Sequence, residues 1–338
     1  MDIAVAPMDP ADPVATEQAY TVAVETTAAD LPDFPPVCRQ QFFGRLRHQR
    51  PSVRFEWALA HAAGKPVGLL MLELPQHDNL DNASVDLQVH PAHRRRGVGR
   101  ALHAYAVTRL RELGRKRLVG MAVEAPGRAP ESDPGAAFAT AVGASCVLVD
   151  VRRRLDVSRL DEAALDAMLA GSWSRAGGYR LVRWQGSAPE EYVDDIAYLD
   201  GRLIEDAPTG DLAWEPEKVD AARLRSTEEA IAARGRRTYH SGLRHEASGR
   251  LVAWTMLDLG ASTDWHAFQQ ITIVDPGHRG HRLGLIAKIE NLRHAMAHEP
   301  ALRVVDTWNA AANEHMIAIN EALGFRPVDR WINWQQTI

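Results

Sequence analysis

Apolar residues recur with two periods along this chain, and the same succession of periods is written twice. Residues 55–60 and 67–74 are apolar runs joined by Gly64-Lys65-Pro66, which predicts a β-hairpin. Val85, Leu87 and Val89 alternate with polar residues, as a half-buried strand does. Leu102, Ala106, Leu110 and Leu113 fall on one face of a helix that Gly114 stops. A strand over 118–123, a short helix over 136–142 ending at Gly143, and a strand over 146–151 complete the round. Ahead of it, residues 1–18 divide between a first strand and a loose tail. Pro32, Pro35 and Pro36 then punctuate a helical or loop region that runs to Arg50.

The second round begins at Ser158, with Asp161 three residues on in capping-box spacing. The expected boundary is therefore near Asp156, giving domains 1–156 and 157–338. A strand over 179–184 is followed by helical segments across 190–234, broken by the polar stretch 206–211. Residues 238–244 and 251–259 form a hairpin turned at Ser248-Gly249, and 268–274 is the next strand. Leu285, Ile289, Leu292 and Met296 line a helical face. A strand over 304–308, a helix over 313–323 stopped by Gly324, and a strand over 330–335 follow. The pattern predicts an α/β (α+β) chain of two tandem domains, each a mixed sheet flanked by helices.

The junction between strand and long helix repeats almost letter for letter. Pro91-Ala92-His93-Arg94-Arg95-Arg96-Gly97-Val98-Gly99 returns as Pro276-Gly277-His278-Arg279-Gly280-His281-Arg282-Leu283-Gly284. Arg94 lies 49 residues before Gly143, and Arg279 lies 45 before Gly324. Chance similarity of two loops does not require such a shared register downstream.

The formal net charge of −5 argues against a nucleic acid or an anionic membrane as partner. No apolar run approaches the ~20 residues of a membrane span. The start of the chain lacks the basic and apolar parts of a signal peptide. Cys38 and Cys146 form no metal-type spacing, and so few thiols suit a cytoplasmic protein. His90 with His93, and His278 with His281, have a metal-like separation but no third ligand, so no metal is expected.

Backbone N–H groups at a helix start lack helical partners, and the helix dipole favours an anion there. A turn of consecutive amides adds a concave nest for phosphate oxygens. Here the amides are those of Arg95, Arg96, Gly97, Val98, Gly99 and Arg100, and of Gly280, His281, Arg282, Leu283, Gly284 and Leu285. No Gly-Lys-Ser/Thr follows, so this is not a Walker loop. Leu102 stands where a dinucleotide fingerprint needs its third glycine, and hairpins are not a Rossmann start.

Arg-x-x-Gly-x-Gly, after a strand and opening a helix, resembles the pyrophosphate loop of the GNAT superfamily of N-acetyltransferases. Arg94, Gly97 and Gly99 match in full; Arg279 and Gly284 match, with Arg282 where the first glycine is expected. Asn313, followed by Gly324-Phe325, resembles the family's second cofactor motif. The resemblance covers both halves and is to the tandem-domain members. It implies acetyl-CoA or another acyl-CoA as donor, with pyrophosphate on the loop amides and Arg94 and Arg279 in the binding set. Pantetheine would lie between splayed parallel strands, past Val89 in one copy and Ile273, Val274 and Asn309 in the other, with Asn313 bonding its amides. A small-molecule amine, from a secondary metabolite, amino-sugar or amino acid, would attack the thioester directly. Strand N–H groups would polarise the carbonyl.

An alkylamine of pKa ~10.4 needs a base. Asp264, His266 and Asp306 are candidates in the second half, Asp86 and Glu124 in the first. Many relatives protonate the leaving thiolate with a tyrosine; the matching positions are Asn320 and Ala139. Ser132 stands opposite Asn313. These differences favour the second half for catalysis and leave the first as a weaker or non-catalytic binder. Trp214, Trp254, Trp265 and Trp308 line an acceptor pocket or pack the core. Glu205, Asp206 and Asp211 lie where the family has its acceptor lid, and carboxylates there suit a cationic amine. The alternative is a CoA-binding regulatory protein without transfer chemistry. The chain is expected to be a monomer or homodimer.

Overall fold

A computed structural model describes residues 2–124 and 133–338. The chain forms two compact units that are not consecutive halves. The first comprises Met1–Asp150, Thr209–Glu215 and Asp329–Ile338; the second comprises Val151–Pro208 and Pro216–Val328. The boundary near Asp156 follows the order of elements along the chain, but the units interleave across it.

In the first unit, β1 (Ile3–Pro7), β2 (Val53–Ala62), β3 (Lys65–Pro75) and β4 (Asn82–Val89) are neighbours in that order, all antiparallel. β4 then runs parallel to β5 (Arg117–Glu124), and α3 (Val98–Glu112) makes the crossover between them. Val98, Leu102, Ala106 and Leu110 on α3 are buried against Val67, Leu70 and Leu72 of β3 and Leu118 of β5. The opposite face of the sheet is covered by α1 (Pro13–Asp30) and α2 (Arg39–Arg47) around Trp57, Leu59 and Leu69.

Helix α1 occupies part of what the sequence pattern assigns to a loose tail. Asp12 caps it by accepting from the amides of Val14 and Ala15, and Pro13 sits in its first turn. Its buried positions are Thr16, Ala19, Val22, Ala23 and Thr26. The face is helical in spacing but made of small residues, so a search for large apolar side chains misses it.

The second unit repeats the plan. It holds α5 (Glu162–Trp173), β7 (Tyr179–Gln185), α6 (Val193–Gly201), α7 (Leu203–Asp206), α8 (Ala221–Ala233), β8 (Arg237–His245) and β9 (Leu251–Leu259). These are followed by β10 (His266–Val274), α9 (Leu283–His298), β11 (Val304–Ala310) and α10 (Glu314–Ala322). β7, β8, β9 and β10 are antiparallel neighbours, and β10 is parallel to β11.

Each sheet is completed from the other half of the sequence. β5 pairs antiparallel with the last strand of the chain, β12 (Arg326–Thr337), from Arg330 opposite Glu124 to Thr337 opposite Arg117. In the second unit, the strand beside β11 is β6 (Ser145–Asp156), through its part from Val151 onward. The segment 209–215 also belongs to the first unit. Asn79 exchanges two hydrogen bonds with the backbone of Glu215 (2.7 and 3.0 Å), and Asn82 donates to the carbonyl of Ala213. Asp211 and Trp214 are thus not part of the second unit. No described helix is long and apolar enough to cross a membrane.

Candidate functional site

In both units the parallel strand pair opens after four residue pairs. β4 and β5 are in register only from Asn82–Arg117 to Val85–Gly120, and β10 and β11 only from His266–Val304 to Gln269–Thr307. Each strand continues beyond that point, so unpaired backbone faces unpaired backbone across a wedge. In β10 a bulge at Gln270 coincides with the opening. The Gln269 side chain fills the bulge, donating to the carbonyls of Met256 (2.8 Å) and Ile271 (2.7 Å).

At the far end of β4 and β10 sit the two basic loops. Among the described residues, the amides of 95–100 and of 280–284 have no intramolecular acceptor. They converge at the N-terminus of α3 and of α9, a setting for an anion. Each loop needs two left-handed residues. In the first these are Arg95 (φ +60°) and Gly97 (+91°); in the second, Gly280 (+87°) and Arg282 (+58°). The glycine changes position while the backbone shape is kept. Arg282 therefore does not spoil the second loop, and Gly280 supplies a flexible position that the motif comparison overlooks.

Arg94, half-buried, and Arg279, exposed, act as struts. Arg94 Nε donates to the carbonyl of Val89 (3.1 Å), and its two Nη atoms grip Asp30 (2.8 Å each). Arg279 Nε donates to the carbonyl of Val274 (3.3 Å), and its Nη2 pairs with Asp206 (2.8 Å). Both thus brace the loop on the strand before it. Asp206 also pairs with Arg202, so its charge serves this brace. The side chains of Arg95, Arg96 and Arg100 are exposed.

Asn313 caps α10, its Oδ1 accepting from the amide of Met316 (3.2 Å). Among the described residues its Nδ2 has no acceptor. The corresponding cap of α4 (Pro134–Ala141) is Asp133, which accepts from Gly135 and Ala136. Ser132, matched to Asn313 by counting, lies outside the described residues. Asn320 is sealed from solvent and donates to Asn309 Oδ1 (2.6 Å), and its own Oδ1 has no partner among the described residues.

The three bases expected in the second half lie away from the opening. Asp264 is exposed in the turn before β10, five residues ahead of the last paired residue. His266 and Asp306 lie on the closed side and are fully buried. Asp306 accepts from Arg154 Nε and Nη2 (2.7 Å each), Arg152 Nη1 (3.1 Å) and His266 Nε2 (3.0 Å). Burial opposes its charge, but the hydrogen bonds from Arg154 and His266 outweigh it and hold the carboxyl at about 2. This cluster ties β6, β10 and β11 together. A carboxylate held that low and sealed from solvent is a poor proton acceptor for a ligand.

In the first unit, Glu124 ends β5 and pairs with Arg330 (3.0 Å). Asp86 is different: it is the first residue of β4 past the pairing. Val85, Leu87 and Val89 turn to the core beneath α3, so Asp86 and Gln88 turn to the face of α1 and α2. Asp86 is an exposed position of β4, though the protein around it partly desolvates its carboxyl. That desolvation pushes its carboxyl above the usual range, against the pull of Gln88 (2.9 Å) and Arg45. The corresponding residue of β10 is Gln270, which donates to Asp258 (3.1 Å) and cannot act as a base.

The tryptophans divide between jobs. Trp254 stacks on His240, which stacks on Trp184, in the core under α6. Trp308, on the open part of β11, stacks on Phe268 (6.0 Å). The paired histidines are engaged locally: His90 with Glu25 and the amide of Ala92, His278 with the Tyr179 hydroxyl, His281 with the carbonyl of Arg175. Among the described residues no three metal-type ligands cluster.

Residues 23–130 match the model of the acetyltransferase (GNAT) family. Among solved structures, the chain is similar to a tandem GNAT protein from the clavulanic acid biosynthesis pathway. The two share 33% identity with a TM-score of 0.83, over 99% of this chain and 98% of that one. A GCN5-related N-acetyltransferase from Sphaerobacter thermophilus has the same fold at 14% identity and TM-score 0.60, covering 99% and 95% of the two chains. A fungal GCN5-related glucosamine N-acetyltransferase region also shares it, at 14% identity and TM-score 0.65, over 99% of this chain and 38% of that one. No curated protein matches the chain.

Proposed function

Since the chain belongs to the GNAT family of acetyltransferases as a tandem-domain member, we propose that it transfers acetyl from acetyl-CoA to the amine of a small molecule, by direct attack on the thioester. The observation that carries this is the wedge between parallel strands with free loop amides at its end, built twice from different residues. Pyrophosphate fits the amides of 95–100 and of 280–284. Pantetheine fits the wedge, where its amides meet unpaired strand backbone and, in the second unit, the Asn313 side chain.

The first residue beyond the pairing favours the first unit for transfer. Asp86 lies on the face of α1 and α2, and the loop-bearing α3 lies on the other. An acceptor ammonium entering from that side meets Asp86, which takes its proton directly or through one water. The freed amine attacks the carbonyl held in the wedge, and unpaired strand N–H groups stabilise the oxyanion. Thiolate leaves; a thiol pKa of ~8.5 lets it depart without an acid at the position of Ala139. In the second unit Gln270 replaces the base, which supports donor binding there without transfer to an outside amine. The likeness to a protein of clavulanic acid biosynthesis supports a secondary metabolite as acceptor.

Incubation with acetyl-CoA and amine panels, with release of free thiol as readout, tests the activity. Calorimetric titration of acetyl-CoA into Gly97→Trp and Asn313→Ala tests the sites. Binding unchanged in both variants would refute the site assignment.

A further inference from the structure

The two wedges can be compared position by position, because each parallel pair holds four matched residue pairs. Val85 and Gly120 end the pairing in the first unit, Gln269 and Thr307 in the second. Met121 of β5 therefore corresponds to Trp308 of β11, and Ser84 of β4 to Phe268 of β10. In the second unit these positions carry two half-buried rings stacked on each other. The first unit has no ring at either position, and its Met121 is 61% exposed.

Met121 is the first residue of β5 beyond the pairing, as Asp86 is of β4, so the two stand on opposite lips of the wedge. Ser84 pairs with Val119, so Val119, Met121 and Val123 share the face on which Asp86 lies. That face continues apolar toward β12. Opposite Val123 stands Trp331, which stacks with Phe34 of the connection between α1 and α2 (6.0 Å). Toward β3 the surface is different. The residue opposite Asp86 there is Met71, and Arg45 Nη1 donates to its sulfur (3.7 Å). An apolar group laid on that side would strip water from a guanidinium.

We propose that the acceptor of the first unit is a primary amine borne on an apolar body, with its ammonium at Asp86 and its body laid over Met121 toward Trp331 and Phe34. This rests on the reading that the first unit transfers acetyl at Asp86. The substrate brings to Met121 the apolar surface that the second unit supplies with Trp308 and Phe268. An amino-sugar would set its hydroxyls against Met121, Val123 and Trp331, where they lose water without gaining partners. The bonds change as before: N–C forms and C–S breaks. Of the two protons the ammonium loses, one goes to Asp86 and the other to the departing thiolate.

The full chain is assayed with acetyl-CoA and ethylamine, ethanolamine, glucosamine, hexylamine or 2-phenylethylamine, with release of free thiol as readout. The kcat/KM for hexylamine and 2-phenylethylamine is expected to exceed that for ethylamine by about 10–100-fold, from the apolar area removed from water. Met121→Gln, polar and of similar length, should lower that ratio about threefold to tenfold through KM and still bind acetyl-CoA by calorimetry. A ratio near one in the parent, a preference for glucosamine or ethanolamine, or a ratio that Met121→Gln leaves unchanged overturns the apolar acceptor and leaves transfer at Asp86 standing. If acetyl-CoA binds and no amine is acetylated, transfer itself falls, and the acceptor with it.

Discussion

Gly97 and Arg282 hold the same left-handed corner, each as the N-cap of its loop-borne helix, at φ +91° and +58°. Glycine adopts that conformation freely; arginine is strained in it by about 1 kcal/mol. Arg282→Gly is therefore expected to raise stability by about 1 kcal/mol, seen as a higher midpoint in thermal unfolding, and to leave CoA affinity nearly unchanged. A marked loss of affinity would mean that the Arg282 side chain itself grips the ligand.

Asp86→Asn should keep acetyl-CoA binding and lower kcat by about 10²–10⁴-fold, the usual contribution of a general base. Because the carboxyl is raised, the ionised base is lost as pH falls through a value above that of ordinary aspartate. The acid limb of the rate profile should therefore lie at higher pH than ~3.9. Turnover of Asp86→Asn equal to the parent would move catalysis elsewhere.

Asp306→Asn removes the buried carboxylate that Arg152, Arg154 and His266 share. A loss of about 3–5 kcal/mol is expected at pH 7 in denaturant unfolding. The sign follows from the low folded pKa: the carboxylate stabilises above ~4 and loses that contribution as pH falls toward about 2. The difference between variant and parent should narrow over that window. Equal stability of the two at pH 7 would remove the cluster's structural role.

Lys288→Met should be more stable than the parent at neutral pH. The folded pKa of about 7 lies below the unfolded ~10.4, so the unfolded chain binds the extra proton between those values. Parent stability then rises with pH across that window. The advantage of methionine should be level below 7 and fade toward ~10. Chemical denaturation at several pH values measures it; an advantage that does not change with pH would point to packing alone.

The repeat, the strand–loop–helix junctions and the family resemblance were legible in the sequence because each rests on local periodicity and spacing. Val85, Leu87 and Val89 define a strand, Leu102, Ala106 and Leu110 a helical face, and the run from Arg94 to Gly99 a phosphate loop without reference to any other part of the chain. Helix α1 was not legible, because alanine and threonine on its buried face carry little apolar signal.

Tertiary structure decided the rest. β6 and β12 are both closing strands by pattern, and only long-range pairing sends β12 to β5 and β6 to β11. Counting could not tell that Arg94 and Arg279 brace their loops on Asp30 and Asp206, since those partners are distant in sequence. Nor could it tell that His266 and Asp306 fall on the closed side of the wedge, Asp86 at its opening and Lys288 in the core beside Phe325. Ionisable residues take their chemistry from burial and neighbours, and both are set by which strands part and where.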